Sequence, residues 1–190
     1  MHLNLLFLIA LYSIFVAWYW KRRTLNKYKK FLLFLPIFLA FFWELIIIRY
    51  IATPARIGGN DMNPNFINGQ YYMIKRFNSL DDLKRGDVVV LEPKETSDHW
   101  IIKRIIGLPN DRVKISKGKV FVNDSELAEL YLSPDTLTQS SEAVAEDQLI
   151  VIPENQYFVL GDNREVSKDS RLWGTFPKEN IIGTTWFRYY

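Results

Sequence analysis

The sequence predicts a mainly β domain carried behind two membrane-spanning helices. Three observations lead there. Apolar residues crowd into the first fifty positions of a 190-residue chain. From residue 70 onward, short β-branched and aromatic runs follow one another between Gly, Pro, Asn and Asp, the spacing of a sandwich or closed barrel rather than of a βαβ sheet. The charge divides at the same place: residues 1–54 hold seven Lys/Arg and one acid, a net +6, while residues 55–190 hold 17 Lys/Arg and 20 acids, a net −3.

The first apolar span, residues 3–20, carries no charge and ends in Trp18, Tyr19 and Trp20, side chains that suit a membrane interface. The second, residues 31–51, carries only Glu44 and Arg49. Each is close to the roughly 20 apolar residues that a helix needs to cross a bilayer. A cleavable leader would want positive charge before its apolar run. Here only His2 precedes it, and the basic stretch KRRTLNKYKK, residues 21–30, follows. That stretch predicts a short cytoplasmic loop and places the rest of the chain outside. The expected division is an anchor over 1–54 and an extracytoplasmic β-rich domain over 55–190. Glu44 is expected near the outer end of its span, paired with Arg49 or reaching water.

In the domain, QYYMIKRF (70–77), DVVVLEP (87–93) and WIIKRIIGLP (100–109) read as strands. DRVKIS (111–116) and KVFVND (119–124) alternate around Lys117-Gly118, the signature of a tight hairpin. QYFVLGDN (156–163) and IIGTTWFRYY (181–190) complete the set, and the polar, Ser/Thr-rich residues 133–148 read as a mobile surface loop.

Several chemistries are excluded or unsupported. There is no cysteine, so neither disulfides nor thiolate metal sites can form. With only His2 and His99, a Ser-His-Asp triad would have to use His99, which lies at the start of a strand after a polar turn. No ligand spacing for a metal and no Gly-rich phosphate loop is present. A nucleic-acid partner would need a basic face on the folded domain, and that domain is slightly acidic.

Lys103 is the residue of interest that remains. In an extended strand, Ile101, Lys103 and Ile105 share one face, and Ile102, Arg104 and Ile106 the other. Either the strand lies at a sheet edge with both cations solvated, or a basic residue is buried. Burial disfavours the charged form of a lysine, and a neutral lysine can act as a general base. Downstream, GDNREVSKDSRLWGTFP (161–177) is dense in Asp, Arg and Ser between two strands, with Asp169 and Arg171 placed to pair. It reads either as a solvated turn or as a rigid polar scaffold under a site.

These segments together resemble the bacterial type I signal peptidases, membrane-anchored proteases with a Ser/Lys dyad. DMNPNFINGQ (61–70) is similar to the nucleophile segment, usually Ser-Met-x-Pro-Thr-Leu-x-x-Gly-Asp. RGDVVVLEP (85–93) is similar to the strand that follows, IKRIIGLPND (102–111) to the lysine segment, and GDNREVSKDSRLWG (161–174) to the last conserved segment of that family. The resemblance implies a signal-peptidase-like β-barrel or sandwich on the outer surface of the bacterial cytoplasmic membrane, with Trp186, Phe187, Tyr189 and Tyr190 towards the bilayer. It implies preprotein signal peptides and the lipid bilayer as partners, and no cofactor or metal. It assigns the nucleophile position to Asp61 and the general base to Lys103. Ser167 would orient the lysine, Asp169 and Arg171 would form a supporting ion pair, and Gly59 would stand where other members carry a hydroxyl donor. Met62 and Pro64 would contact substrate.

Asp61 is the departure. A carboxylate is a poor nucleophile towards an amide and has no proton for Lys103 to remove. Beside the amine it favours the ammonium, whereas a base must be neutral. Asn65, Phe66 and Gln70 also differ from the usual residues of that segment. Two expectations follow. One is a signal peptidase that recognises and cleaves N-terminal signal peptides. The other is a silent homologue, or nucleophile-replaced variant, that binds them without cutting, with an active signal peptidase as a candidate companion.

Overall fold

The computed structural model describes residues 12–14, 17, 21, 35–36, 38–43, 52–76, 83–92 and 100–189. The chain divides into two compact units, Met1–Arg49 and Tyr50–Tyr190. The described residues of the first unit are helical. Among the described residues, no helix is long and apolar enough to cross a membrane. Most of the two expected spans, the basic loop, Glu44, Arg49, His99 and Tyr190 lie outside the described residues.

The second unit is mainly β, and all its strand pairings are antiparallel. The strands are β1 (Ala52–Arg56), β2 (Tyr71–Arg76), β3 (Val88–Leu91), β4 (Ile101–Gly107), β5 (Arg112–Ser116), β6 (Lys119–Val122), β7 (Ser125–Glu126), β8 (Ile150–Val151), β9 (Gln156–Leu160), β10 (Phe176–Pro177) and β11 (Ile181–Arg188). Seven form one sheet in the order β1-β2-β11-β3-β4-β9-β10, and four form a second in the order β7-β6-β5-β8. The larger sheet has two ends, β1 and β10, so the described pairings make an open sheet rather than a closed ring. Pro54 falls on the end strand β1, where a missing N–H breaks no inner ladder.

The central strand β3 is buried on both faces, which is why it reads as an unbroken apolar run. All four residues of β3 are buried. Successive residues of β4 and β9 feed separate cores. Ile106, Phe158 and Leu160 join Val113, Ile115, Val120, Val122 and Ile152 of the smaller-sheet side. Ile105, Tyr157 and Val159 join Val89, Leu91, Phe176 and Ile181. Each such side chain contributes about 1.5–3 kcal/mol by leaving water. At Gly107 the two layers approach so closely that a Cβ would overlap Ile152 Cδ1, and the β4–β9 register shifts there.

The Lys117-Gly118 hairpin forms as expected: Ser116 pairs with Lys119, and both turn residues have positive φ, 50° and 76°. This is the twist a two-residue hairpin requires. Two expectations are corrected. First, β4 is not an edge strand; it lies between β3 and β9. Second, residues 133–148 are not simply a surface loop. Val144 is fully buried in the core and Thr138 is 1% exposed. Main-chain bonds tie the segment down: Thr138 N to Gly118 O, Ala143 N to Arg171 O, and Asp147 N to Ile115 O, at 2.8–2.9 Å. Polar composition conceals this because the anchoring groups are mostly backbone.

Candidate active site

The site is built from the loop after β1, from Lys103 within β4, and from the turn after β9. Residues 57–66 leave β1 and curl through consecutive turns, with Phe66 N donating to Met62 O at 2.9 Å and the Asn63–Pro64 peptide bond cis. Met62 anchors the curl. It is 1% exposed and packs with Ile57, Val88 and Ile102, and its Sδ accepts from Asp162 N at 3.3 Å. Asn163 fastens the loop from the other side, its N donating to Asp61 O at 2.9 Å and its Nδ2 to Asn60 O at 3.1 Å.

Lys103, near the middle of β4, is fully buried, and its Nζ donates to Asp61 Oδ2 in a short ion pair. Asp61 is the outer partner, with 33% of its side chain exposed. The residues assigned to nucleophile and base positions therefore meet. They meet side chain to side chain, with Lys103 Nζ bonded to the Asp61 carboxylate.

The scaffold beneath is organised by Asp169. Its carboxylate, fully buried, accepts from Gly161 N at 3.0 Å and from Arg171 N, Nε and Nη2 at 3.2, 2.9 and 2.9 Å. It also caps the helical turn Ser170–Trp173. Arg171 is spent in turn on the carbonyls of Arg164 and Ser167, at 2.8 and 3.1 Å. The expected pairing of Asp169 with Arg171 is thus present. Ser170 Oγ accepts from Val159 N at 2.9 Å, joining this turn to β9.

Ser167 differs from the role its position implied. Its Oγ is buried and has no hydrogen-bond partner, so it does not hold Lys103. It lies against Gly161, where an added Cβ would overlap Ser167 Oγ, Ser167 Cβ and Asp61 O. Lys103 Nζ is bonded to Asp61 instead. Gly59 has φ +83° with open space where a side chain would stand, and Pro64 is exposed.

Gly161 is the close-approach point of the site, which makes it a sharp test. Gly161→Ala is expected to lower the unfolding midpoint by several degrees, since overpacking costs about 1–3 kcal/mol. Differential scanning fluorimetry of the detergent-solubilised chain reads this directly, and an unchanged midpoint would show that the loop yields freely.

Sequence reasoning missed a second buried network. Arg104, on the face of β4 opposite Lys103, forks onto Asp162 through Nε and Nη2, at 2.8 and 2.6 Å, and stacks over Tyr131 at 4.0 Å. Asn65 Nδ2 also donates to Asp162, at 2.8 Å, and to Tyr131 O, at 2.9 Å. Arg164 is buried and bound to Glu129, Thr138 and Gly161 O. Burial opposes its charge, but hydrogen bonding and the nearby charge of Glu129 outweigh that and hold Arg164 more firmly protonated. Burial, reinforced by Glu129, pushes the Tyr131 phenol well above its ordinary value. The signal was partial: Arg104 was seen as a cation with a face to bury, but nothing local pointed to Asp162 or Glu129. Among the described residues, no acid/His cluster could hold a metal.

A buried lysine paired with Asp61 of a turn-rich loop, on an antiparallel β scaffold, is what this geometry defines. The model of the signal peptidase family, peptidase S26, matches residues 28–190. The chain is 33% identical over 159 residues to signal peptidase I P of Bacillus subtilis subsp. natto, covering 81% of this chain and 85% of that one. It is 32% identical over 168 residues to signal peptidase IB of Staphylococcus aureus, covering 82% and 87%. A crystal structure of a signal peptidase I from Enterococcus faecalis matches with 28% identity and a TM-score of 0.46, over 56% of this chain and 98% of that one. The chain belongs to the signal peptidase I family, peptidase S26.

Proposed function

We propose that this chain binds the signal-peptide end of exported preproteins without hydrolysing it. The observation that carries the reading is the Asp61–Lys103 ion pair. Cleavage by a Ser/Lys dyad needs a hydroxyl that can lose a proton and an amine free to take it. Here neither is available: position 61 offers a carboxylate, and the buried Lys103 Nζ is bonded to it.

The binding half rests on what is kept. Lys103, Asp169 and Arg171 hold an ordered scaffold, and Ile57, Met62, Val88 and Ile102 form an apolar cluster beside the loop. β9 pairs with β4 only from Arg104 onward, whereas β3 pairs with Ile101–Lys103 on the other side. An extended segment with small residues can add along that unfilled edge by main-chain hydrogen bonds. The substrate class is that of the family.

The proposed setting is the cytoplasmic membrane, with residues 3–20 and 31–51 spanning it, 21–30 inside, and the domain from about residue 55 outside. The exposed Phe38, Leu39, Phe41, Phe42 and Trp43 of the first unit, and the exposed Trp186, Phe187 and Tyr189 at the end of β11, support contact with lipid. An active signal peptidase is the proposed companion that would cut what this chain holds.

The test is a model preprotein incubated with the full chain in detergent, scored for retention and for cleavage. Retention with intact preprotein is the expected result. Product ending at a small-residue junction would overturn the silent reading.

A further inference from the structure

We propose that a groove beside the Asp61 loop takes the stretch of a bound preprotein that follows the recognised junction, and that it favours Lys or Arg there. This rests on the binding reading above. The groove has a volume of about 700 Å3, in the range of ligand-binding clefts. It begins at Asn63 and Pro64, two and three residues past Asp61, and is walled by residues 132–139 and 162–165. Its walls are tied to the Asp61 loop by the Asn163 bonds and by Asn65 Nδ2 to Tyr131 O. None of its lining residues belongs to the apolar cluster of Ile57, Met62, Val88 and Ile102. None of them lies on β4 either, so a chain whose small residues pair along the Ile101–Lys103 edge enters this groove with another part of its length.

Charge bookkeeping gives the preference. Asp162 is neutralised by Arg104, and Arg164 by Glu129. What remains on the groove walls is Asp135 and Glu165, both exposed and in no ion pair among the described residues. Two unneutralised carboxylates on a concave wall raise the local concentration of a cation. Separately, Asn63 keeps its side-chain Oδ1 buried and without a donor. A buried acceptor left unfilled calls for a partner, and an N–H of the bound chain supplies one.

The experiment uses the full chain in detergent and three labelled synthetic peptides. One ends at an Ala-x-Ala junction, one extends five residues beyond it with two Lys, and one extends equally with two Glu. Fluorescence anisotropy is expected to show the Lys peptide binding about tenfold more tightly than the Glu peptide at low salt, as two exposed pairs allow. The ratio should shrink in 0.5 M salt. In the double variant Asp135→Asn, Glu165→Gln it should fall to within about twofold, with binding of the junction-ending peptide unchanged. Equal binding of Lys and Glu peptides to the unaltered chain overturns the groove assignment while leaving the binding reading intact. Failure of the junction-ending peptide to bind overturns the binding reading, and the groove assignment with it.

Discussion

Asp61→Ser is expected to confer cleavage of a model preprotein, raising the rate by at least about a thousandfold over the unaltered chain. Loss of a nucleophile costs several orders of magnitude in a serine protease, up to about a millionfold. The substitution reverses two defects together. It supplies a hydroxyl with a proton to lose, and it removes the carboxylate to which Lys103 Nζ is bonded. It also frees Lys103 to reach Ser167, whose Oγ now lacks a partner. A gain below the millionfold ceiling is anticipated because Asn65, Phe66 and Gln70 depart from the family's usual loop. Adding Lys103→Ala to Asp61→Ser should abolish the gained activity, whereas Lys103→Ala alone should change no rate. If Asp61→Ser binds the preprotein and stays inert, the ion pair is not the main lesion. Cleavage by the unaltered chain would mean that a carboxylate-activated water does the work.

Asp169→Ala should be the most damaging single change to stability, lowering it by about 3–5 kcal/mol, the usual cost of removing one partner of a buried ion pair. Asp169 satisfies four donors from three groups: Gly161 N, Arg171 N and the Arg171 guanidinium. Truncation leaves Arg171, 5% exposed, with an uncompensated charge. For a unit of this size the thermal midpoint should fall by about 10 °C or more. Asp169→Asn keeps the shape and the bond to Gly161 N but not the charge, so it should fall between. In the Asp61→Ser background both should lower cleavage more than binding, because Gly161 and Ser167 lose their support beside position 61. A midpoint shift under about 3 °C for Asp169→Ala would show that Arg171 is held by carbonyls alone.

The buried network of Arg104, Asp162, Tyr131, Glu129 and Arg164 shows why part of the site was not legible. Its members come from β4, from the loop after β9, and from residues 129–131 after β7. Each ion pair spans a long stretch of sequence: 58 residues for Arg104–Asp162 and 35 for Arg164–Glu129. Local periodicity carries no information at that range. By contrast, the strand positions, the Lys117-Gly118 hairpin and the Asp169–Arg171 pair depend on contacts within a few residues, and these were readable.

The sequence by itself determined the chemistry at position 61. No arrangement of the chain turns an aspartate into a hydroxyl nucleophile. It also determined which residues alternate on β4, since strand period follows from backbone geometry. Tertiary structure alone decided that β4 would be an inner strand. WIIKRIIG suits an edge or a centre equally well, and only the docking of β3 and β9 on its two sides removes Lys103 and Arg104 from water. With Lys103 buried and Arg104 largely covered, each is matched by an acid, because an unpaired charge away from solvent is too costly to keep. The fold supplies one from either direction: Asp61 from 42 residues before Lys103, and Asp162 from 58 residues after Arg104.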